Sequence, residues 1–251
     1  MQFHQEAKEP MTDLSSTNLF KAAKQALAAV AGLIVLSGTI AMAQSQQVEE
    51  KLMAFRQNQA ANKQKLAQYT WQETETISIK GEVKDTKVYQ VQMANGQQQK
   101  TEVSNQAAQQ GGREGRLKKH VVEKKKEEFQ EYGRSIGALA KQYTTPNPDA
   151  LMKAKQAGNI SLSPGSGTVN LVIKDYVKAG DSVTFTIAEQ TKQLQSVAVN
   201  SYLNDPKDAV KISAQFGQLP DGTNHVASTL INGVSKELTV NDVNSNYQKK
   251  M

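Results

Sequence analysis

The segment Thr168–Phe216 holds four short runs: T-V-N-L-V-I-K (168–174), S-V-T-F-T-I-A (182–188), S-V-A-V-N-S-Y (196–202) and A-V-K-I-S-A-Q-F (209–216). Side chains on a strand point alternately to its two faces. Val169, Leu171 and Ile173 therefore share one face, as do Val183, Phe185 and Ile187, Val197 and Val199, and Val210, Ile212, Ala214 and Phe216. The opposite face carries Asn170, Lys174, Ser182, Thr184, Thr186, Ser196, Asn200 and Lys211. An apolar face backed by a wet one is the pattern of an antiparallel sheet covered on one side. The connections Asp175–Asp181, Glu189–Gln193 and Asn204–Asp208 are too short for a helical crossover, so neighbouring strands should pair antiparallel.

Downstream, Leu219-Pro-Asp-Gly222 reads as a turn, and Val226–Asn232 and Lys236–Val240 as two further strands. Upstream, Thr70–Lys80 and Thr86–Met93 alternate like strands joined around Gly81. Asn95-Gly96 is a hairpin signal leading to a third strand near Gln98–Ser104. The expectation is about six strands in the C-terminal block and nine in all, with Asn241–Met251 as a polar tail. Ser163–Thr168 is rich in glycine but lacks the lysine and following helix of a phosphate loop, and reads as a flexible turn.

Two helical regions accompany the strands. Gln44–Gln68 places Val48, Leu52, Phe55, Ala60 and Leu66 near helical spacing. From about Arg113, Leu117, Val121, Phe129, Tyr132, Ile136, Leu139 and Tyr143 form a second stripe on a helix dense in charge. Gly133 and Gly137 are expected to loosen it and Pro146 and Pro148 to end it, before a short helix Pro148–Ala157. Lysines at 118, 119, 124, 125 and 126 alternate with Glu123, Glu127, Glu128 and Glu131. Pairing at i+3 and i+4 reads as a solvated face, and no nucleic-acid partner is expected.

The chain has 251 residues, 38% of them hydrophobic, a net charge of +6 and no cysteine. Disulfides, thiolate metal sites and cysteine nucleophiles are therefore excluded. Near the N-terminus, Lys21 and Lys24 precede an apolar run Ala26–Ala43 that closes with Ala41-Met42-Ala43. This is the layout of a secretory signal at residues 1–43, cleaved between Ala43 and Gln44, with retention of residues 26–43 as an inner-membrane anchor as the alternative. Met1 or Met11 is the start. A bacterial periplasmic location follows as the expectation, with residues 44–251 forming one domain.

No catalytic motif is present: G-x-S-x-G, S-x-x-K and H-E-x-x-H are all missing. His120 and His225 lie far apart without carboxylates at ligand spacing, so neither a metal nor another cofactor is expected. Asp175, Asp181, Asp205 and Asp208 fall in turns, where aspartate serves turn geometry. A non-enzymatic protein is the expectation.

The order of amphipathic helix, three-strand meander, helical insertion and longer meander resembles the periplasmic lipoprotein carriers and their lipoprotein-sorting-like relatives. The segments L-P-D-G-T-N-H-V-A-S-T-L-I (219–231) and L-T-V-N-D-V-N-S-N-Y (238–247) carry the likeness further. It covers most of Gln44–Tyr247. The resemblance implies an α+β fold: a curved antiparallel half-open barrel whose concave face, lidded by helices, holds acyl chains. No individual functional residue of that family is matched here.

Both lines of reading lead to a monomeric binding module sheltering a lipid, acyl chain or other hydrophobic ligand. The candidate pocket comprises Trp71, Ile77, Val169, Leu171, Ile173, Val183, Phe185, Ile187, Val197, Val199, Val210 and Ile212. Another envelope protein or an anionic membrane surface is a further candidate partner. The alternative is a secreted structural or regulatory protein with a filled core, docking a protein partner through its charged helix. Alternation is the same for a filled core and a lined cavity, so the sequence leaves both open.

Overall fold

The computed structural model describes residues 57–58, 60–94, 97–105, 116–144 and 148–250. The apolar run 26–43, most of the first helix (44–56), the Asn95-Gly96 turn and the loop 106–112 lie outside the described residues.

The strands are β1 (Tyr69–Ile79), β2 (Glu82–Ala94), β3 (Gln97–Asn105), β4 (Ile160–Pro164), β5 (Thr168–Lys174), β6 (Ser182–Ala188), β7 (Leu194–Tyr202), β8 (Ala209–Gln218), β9 (Asn224–Gly233) and β10 (Leu238–Lys249). They form one unclosed, curved antiparallel sheet in the order β3-β2-β1-β10-β9-β8-β7-β6-β5-β4. Two meanders, β1–β3 and β4–β10, meet where β10 pairs with β1 from Tyr69↔Lys249 to Ile79↔Leu238. Strands β3 and β4, successive in the chain, therefore occupy opposite edges.

The helical insertion is the chain's path between those edges. Its helices are α1 (Arg116–Thr144) and α2 (Pro148–Gln156). A helix as long as α1 spans about 43 Å at 1.5 Å per residue. The nine interstrand gaps also amount to about 43 Å at 4.8 Å each. The insertion has the length to cross the sheet.

Local chemistry sets the turns and the bend. Lys80 and Gly81 both have positive φ, 54° and 77°, the pairing of a two-residue hairpin turn whose twist matches its strands. Register shifts occur at Thr70/Gln72, Ile77/Ser78, Val88/Tyr89, Thr186/Ile187 and Gln215/Phe216. Each extra residue bends its strand and increases the local twist.

Among the described residues the strands number ten, not nine. Ile160–Pro164 is an edge strand paired with β5, where only a turn was expected around Ser163. Its proline sits on an edge, where a missing donor costs little. The supposed polar tail is the second half of β10. It is held by β1, a partner some 170 residues earlier in the chain, rather than by its own hydrophobicity. The segment Lys236–Val240 begins as a 3-10 turn, Val234–Lys236, and enters the sheet at Leu238. Helix α1 continues through Gly133 and Gly137, both buried. Packing of one face outweighs the roughly 1 kcal/mol that each glycine costs relative to alanine.

Tyr132, Ile136, Leu139, Ala140 and Tyr143 of α1 share one cluster with Ile77, Leu171, Ile173, Val183, Phe185, Val197, Val199, Val210, Ile212, Ile231 and Val240 of the sheet. The helix packs tightly over Gly233. A Cβ there would meet Ile136 Cδ1 at 2.5 Å and Tyr132 Cε1 at 2.7 Å.

Candidate functional site: the concave face and its cover

The register lays the inward side chains in rows across the sheet. One row reads Ile77, Val240, Ile231, Ile212, Val199, Val183 and Ile173 from β1 to β5, apolar throughout. The next reads Lys87, Glu75, Asp242, Thr229, Ala214, Val197, Phe185 and Leu171. Charge ends at Asp242 on β10, Thr229 on β9 is polar and uncharged, and the row is hydrocarbon from β8 onward. Glu75, Lys87 and Asp242 are nevertheless only 1%, 2% and 2% exposed. A third level holds Glu73 beside Lys100, whose Nζ lies 2.6 and 2.5 Å from the two carboxylate oxygens. This pair spans from β1 to β3 past β2. Asp85 sits 3.7 Å from Lys87. Burial of the Glu73 and Lys100 charges is tolerated because the two are paired and hydrogen-bonded.

Beyond Glu73 the interior becomes aromatic. Asn246, with φ 53°, lies in the irregular stretch of β10 opposite Trp71. The extra residue reverses the facing of the positions that follow. Tyr247 thus stacks on Trp71 at 5.4 Å between ring centroids, and His225 tilts against Tyr247 at 4.2 Å. Trp71 Nε1 donates to Asn244 Oδ1 (3.1 Å), and Asn244 Nδ2 and the Tyr247 hydroxyl donate to the carbonyl of Val226. Burial, then the negative Glu73, raises the Tyr247 phenol above its ordinary range, and burial lowers the His225 imidazole.

Helix α1 is pinned over the apolar half by two tyrosines eleven residues apart, three helical turns on one face. Tyr132 OH donates to Asp208 in the β7–β8 turn at 3.0 Å. Tyr143 OH donates to Asp181 in the β5–β6 turn at 2.5 Å and lies 2.7 Å from Ser201 Oγ. Asp181 also accepts from the backbone N–H groups of Tyr176, Val177 and Lys178 at 2.6–2.9 Å. The aspartates thus do turn work, as the sequence suggests, and two of them anchor the helix as well. Burial, followed by the Asp181 hydrogen bond, raises the Tyr143 phenol well above its usual range.

The other end of the half-barrel receives the chain's N-terminal side. Asn62, in the helical residues 60–66, takes both backbone groups of Asn224: Nδ2 donates to the carbonyl at 2.7 Å and Oδ1 accepts from N–H at 2.6 Å. Asn58 Nδ2 donates to the Thr191 carbonyl at 3.1 Å, and Leu66 packs on the Trp71–Tyr89–Val91 cluster.

The predicted pocket residues divide accordingly. Ile77, Leu171, Ile173, Val183, Phe185, Val197, Val199, Val210 and Ile212 are buried together beneath α1, with Ile187 half-buried at their margin. Trp71 belongs to the separate aromatic cluster, and Val169, half-buried, to neither. The charged set Glu73, Glu75, Lys87, Lys100 and Asp242 escaped the sequence reading. A signal was present, since the odd positions of β1 read Tyr69, Trp71, Glu73, Glu75 and Ile77 between Thr, Gln and Ser. Among the described residues, no group of His, Asp and Glu is arranged to hold a metal ion, and no helix is long and apolar enough to cross a membrane.

No protein-family model matches the chain, and no curated protein matches it.

Proposed function

We propose that this protein is a non-enzymatic binding module of the bacterial cell envelope. It shelters an apolar or acyl-chain ligand on the concave sheet face beneath α1. The observation that carries the reading is the separateness of the cover. The apolar half of the sheet is roofed by a covalent excursion between its two edges, held at the rim by Tyr132–Asp208 and Tyr143–Asp181. An apolar chain would take the place of Ile136, Leu139 and Tyr143 against Val183, Phe185, Val197 and Ile212, exchanging one hydrocarbon contact for another. Loading requires α1 to lift, so hydrogen exchange tests it. Adding a long-chain fatty acid should speed amide exchange across Phe129–Tyr143 while β5–β8 stay protected. Unchanged exchange at saturating fatty acid would overturn the reading.

A second reading has its own observation. The fit of Tyr132 and Ile136 onto Gly233 is as close as a permanent core contact. On that reading the face is a filled core, and the protein is a secreted structural or regulatory partner of another envelope protein.

A further inference from the structure

Strands β9 and β10 separate before the end of the sheet, and we propose that the fork between them receives an extended segment of a partner polypeptide, added as a strand to β9. Their pairing runs from Leu238↔Gly233 to Val243↔Ser228 and stops there. Beyond it, among the described residues, β10 continues against β1 to Lys249, and β9 runs back to Asn224 against β8. Each arm of the fork carries an irregularity. The register of β10 on β1 shifts between Thr70 and Gln72, and that of β9 on β8 between Gln215 and Phe216. Extra residues bend a strand, and here the two strands diverge.

At the fork, side chains take the place of a neighbouring strand. Asn62 Nδ2 donates to the carbonyl of Asn224 at 2.7 Å, and its Oδ1 accepts from the Asn224 N–H at 2.6 Å. A strand residue makes this same pair of bonds in an antiparallel ladder. Two residues on, the carbonyl of Val226 accepts from Asn244 Nδ2 at 2.9 Å and from the Tyr247 hydroxyl at 3.2 Å. An amide held through both its polar atoms is peptide chemistry, so the fork already recognises one peptide unit. Leu66, one helical turn after Asn62, packs on the Trp71–Tyr89–Val91 cluster. The fork thus takes an amide beside an apolar side chain, the combination that an extended peptide offers to a sheet edge.

The segment that now fills this place is lightly held. Of the helical residues 60–66, Asn62 and Leu66 are half-buried and the other five are exposed. Asn58 adds one bond, to the Thr191 carbonyl at 3.1 Å. A strand laid along Asn224 and Val226 would replace these side-chain bonds with main-chain ones and leave no edge group unsatisfied. Asn62 therefore acts as a placeholder that an incoming strand displaces. The inference does not depend on the ligand reading.

The test uses the full chain with a set of short, end-capped peptides in which threonine alternates with valine, leucine or isoleucine. Each is paired with a copy N-methylated at its central amides, which keeps the side chains and removes main-chain donors. Asn62→Ala deletes the competing amide and should raise affinity for the unmodified peptides at least roughly tenfold. The N-methylated copies should not bind. In N62A without peptide, the Asn224 amide hydrogen should exchange faster than in the wild-type chain, and peptide should restore its protection. Persistent protection of β7 and β8 shows that the variant is folded. The outer strands β3 and β4 serve as the control for unspecific edge pairing. The proposal is overturned by equal affinity of N62A and the wild-type chain, by binding of the N-methylated copies, or by no binding of any peptide to N62A. Protection that appears at β3 or β4 rather than at Asn224, or that fatty acid supplies at Asn224 and peptide does not, would also overturn it.

Discussion

Tyr143 and Asp181 meet at 2.5 Å between hydroxyl and carboxylate, and through this contact the underside of α1 is tied to the β5–β6 turn. Asp181 is only 2% exposed, and its carboxylate also collects three backbone N–H groups. Tyr143→Phe should therefore cost about 1–3 kcal/mol. Asp181→Ala strips an acceptor from several buried donors at once and should cost about 3–5 kcal/mol. Urea unfolding measures both. Equal, small losses would mean that the turn stands without the helix.

The phenols give the alkaline limit. Tyr143 and Tyr247 are raised in the folded protein, both chiefly by burial. An unfolded chain loses these protons near pH 10, whereas the folded one holds them. Stability contributed by the neutral phenols is complete below pH 10 and is lost as pH rises above it. The urea midpoint should fall from pH 10 upward, less steeply in Tyr143→Phe.

On the acid side the group to watch is His225. Its imidazole is lowered by burial against Tyr247, so the unfolded chain takes up the proton first. The associated stability is present above about pH 6.5 and is lost as pH falls below that value. His225→Gln should flatten the dependence of the urea midpoint between pH 7.5 and 5. An unaltered slope would assign the acid loss to carboxylates.

Lys100 and Glu73 join β3 to β1 across the buried, charged part of the sheet. Lys100→Met alone should destabilise by about 3–5 kcal/mol, because a buried carboxylate loses its nearest cation. Lys100→Met combined with Glu73→Gln should recover part of that loss. A double-mutant cycle reads the coupling, and strict additivity would show that the pair contributes nothing as a pair.

Gly233→Ala places a methyl group against Ile136 and Tyr132. The backbone of Gly233 is extended at φ −94°, so the penalty is one of space alone. A cost of about 1–3 kcal/mol is expected, with faster hydrogen exchange in α1 than in β7 or β8. Ile136→Ala in the same chain should relieve part of it.

The apolar half of the concave face was legible in the sequence because β5–β8 alternate cleanly and are joined by short turns. Alternation with period 2 fixes which residues share a face. Helix α1 was legible from Tyr132, Ile136, Leu139 and Tyr143. What escaped was non-local. The polar residues Asn241–Lys249 become a strand only because β1 lies ready to pair with them. The facing of Tyr247 depends on an extra residue at Asn246 that no alternation rule announces. The charged interior was hidden for a related reason. Trp71, Glu73, Glu75 and Ile77 look amphipathic on neither face until Lys87 and Lys100 arrive from β2 and β3. Periodicity reports faces, while partners across the sheet decide what a face can bury.

The most direct measurement is native mass spectrometry of the protein purified from a bacterial periplasm, followed by denaturing extraction. The expected result is a reproducible mass excess that is recovered as a lipid or acyl chain on extraction. Saturating fatty acid should restore it after delipidation. A clean unliganded mass, together with no uptake of fatty acid or hydrophobic dye by the folded protein, would contradict the binding function and leave the concave face as a filled core.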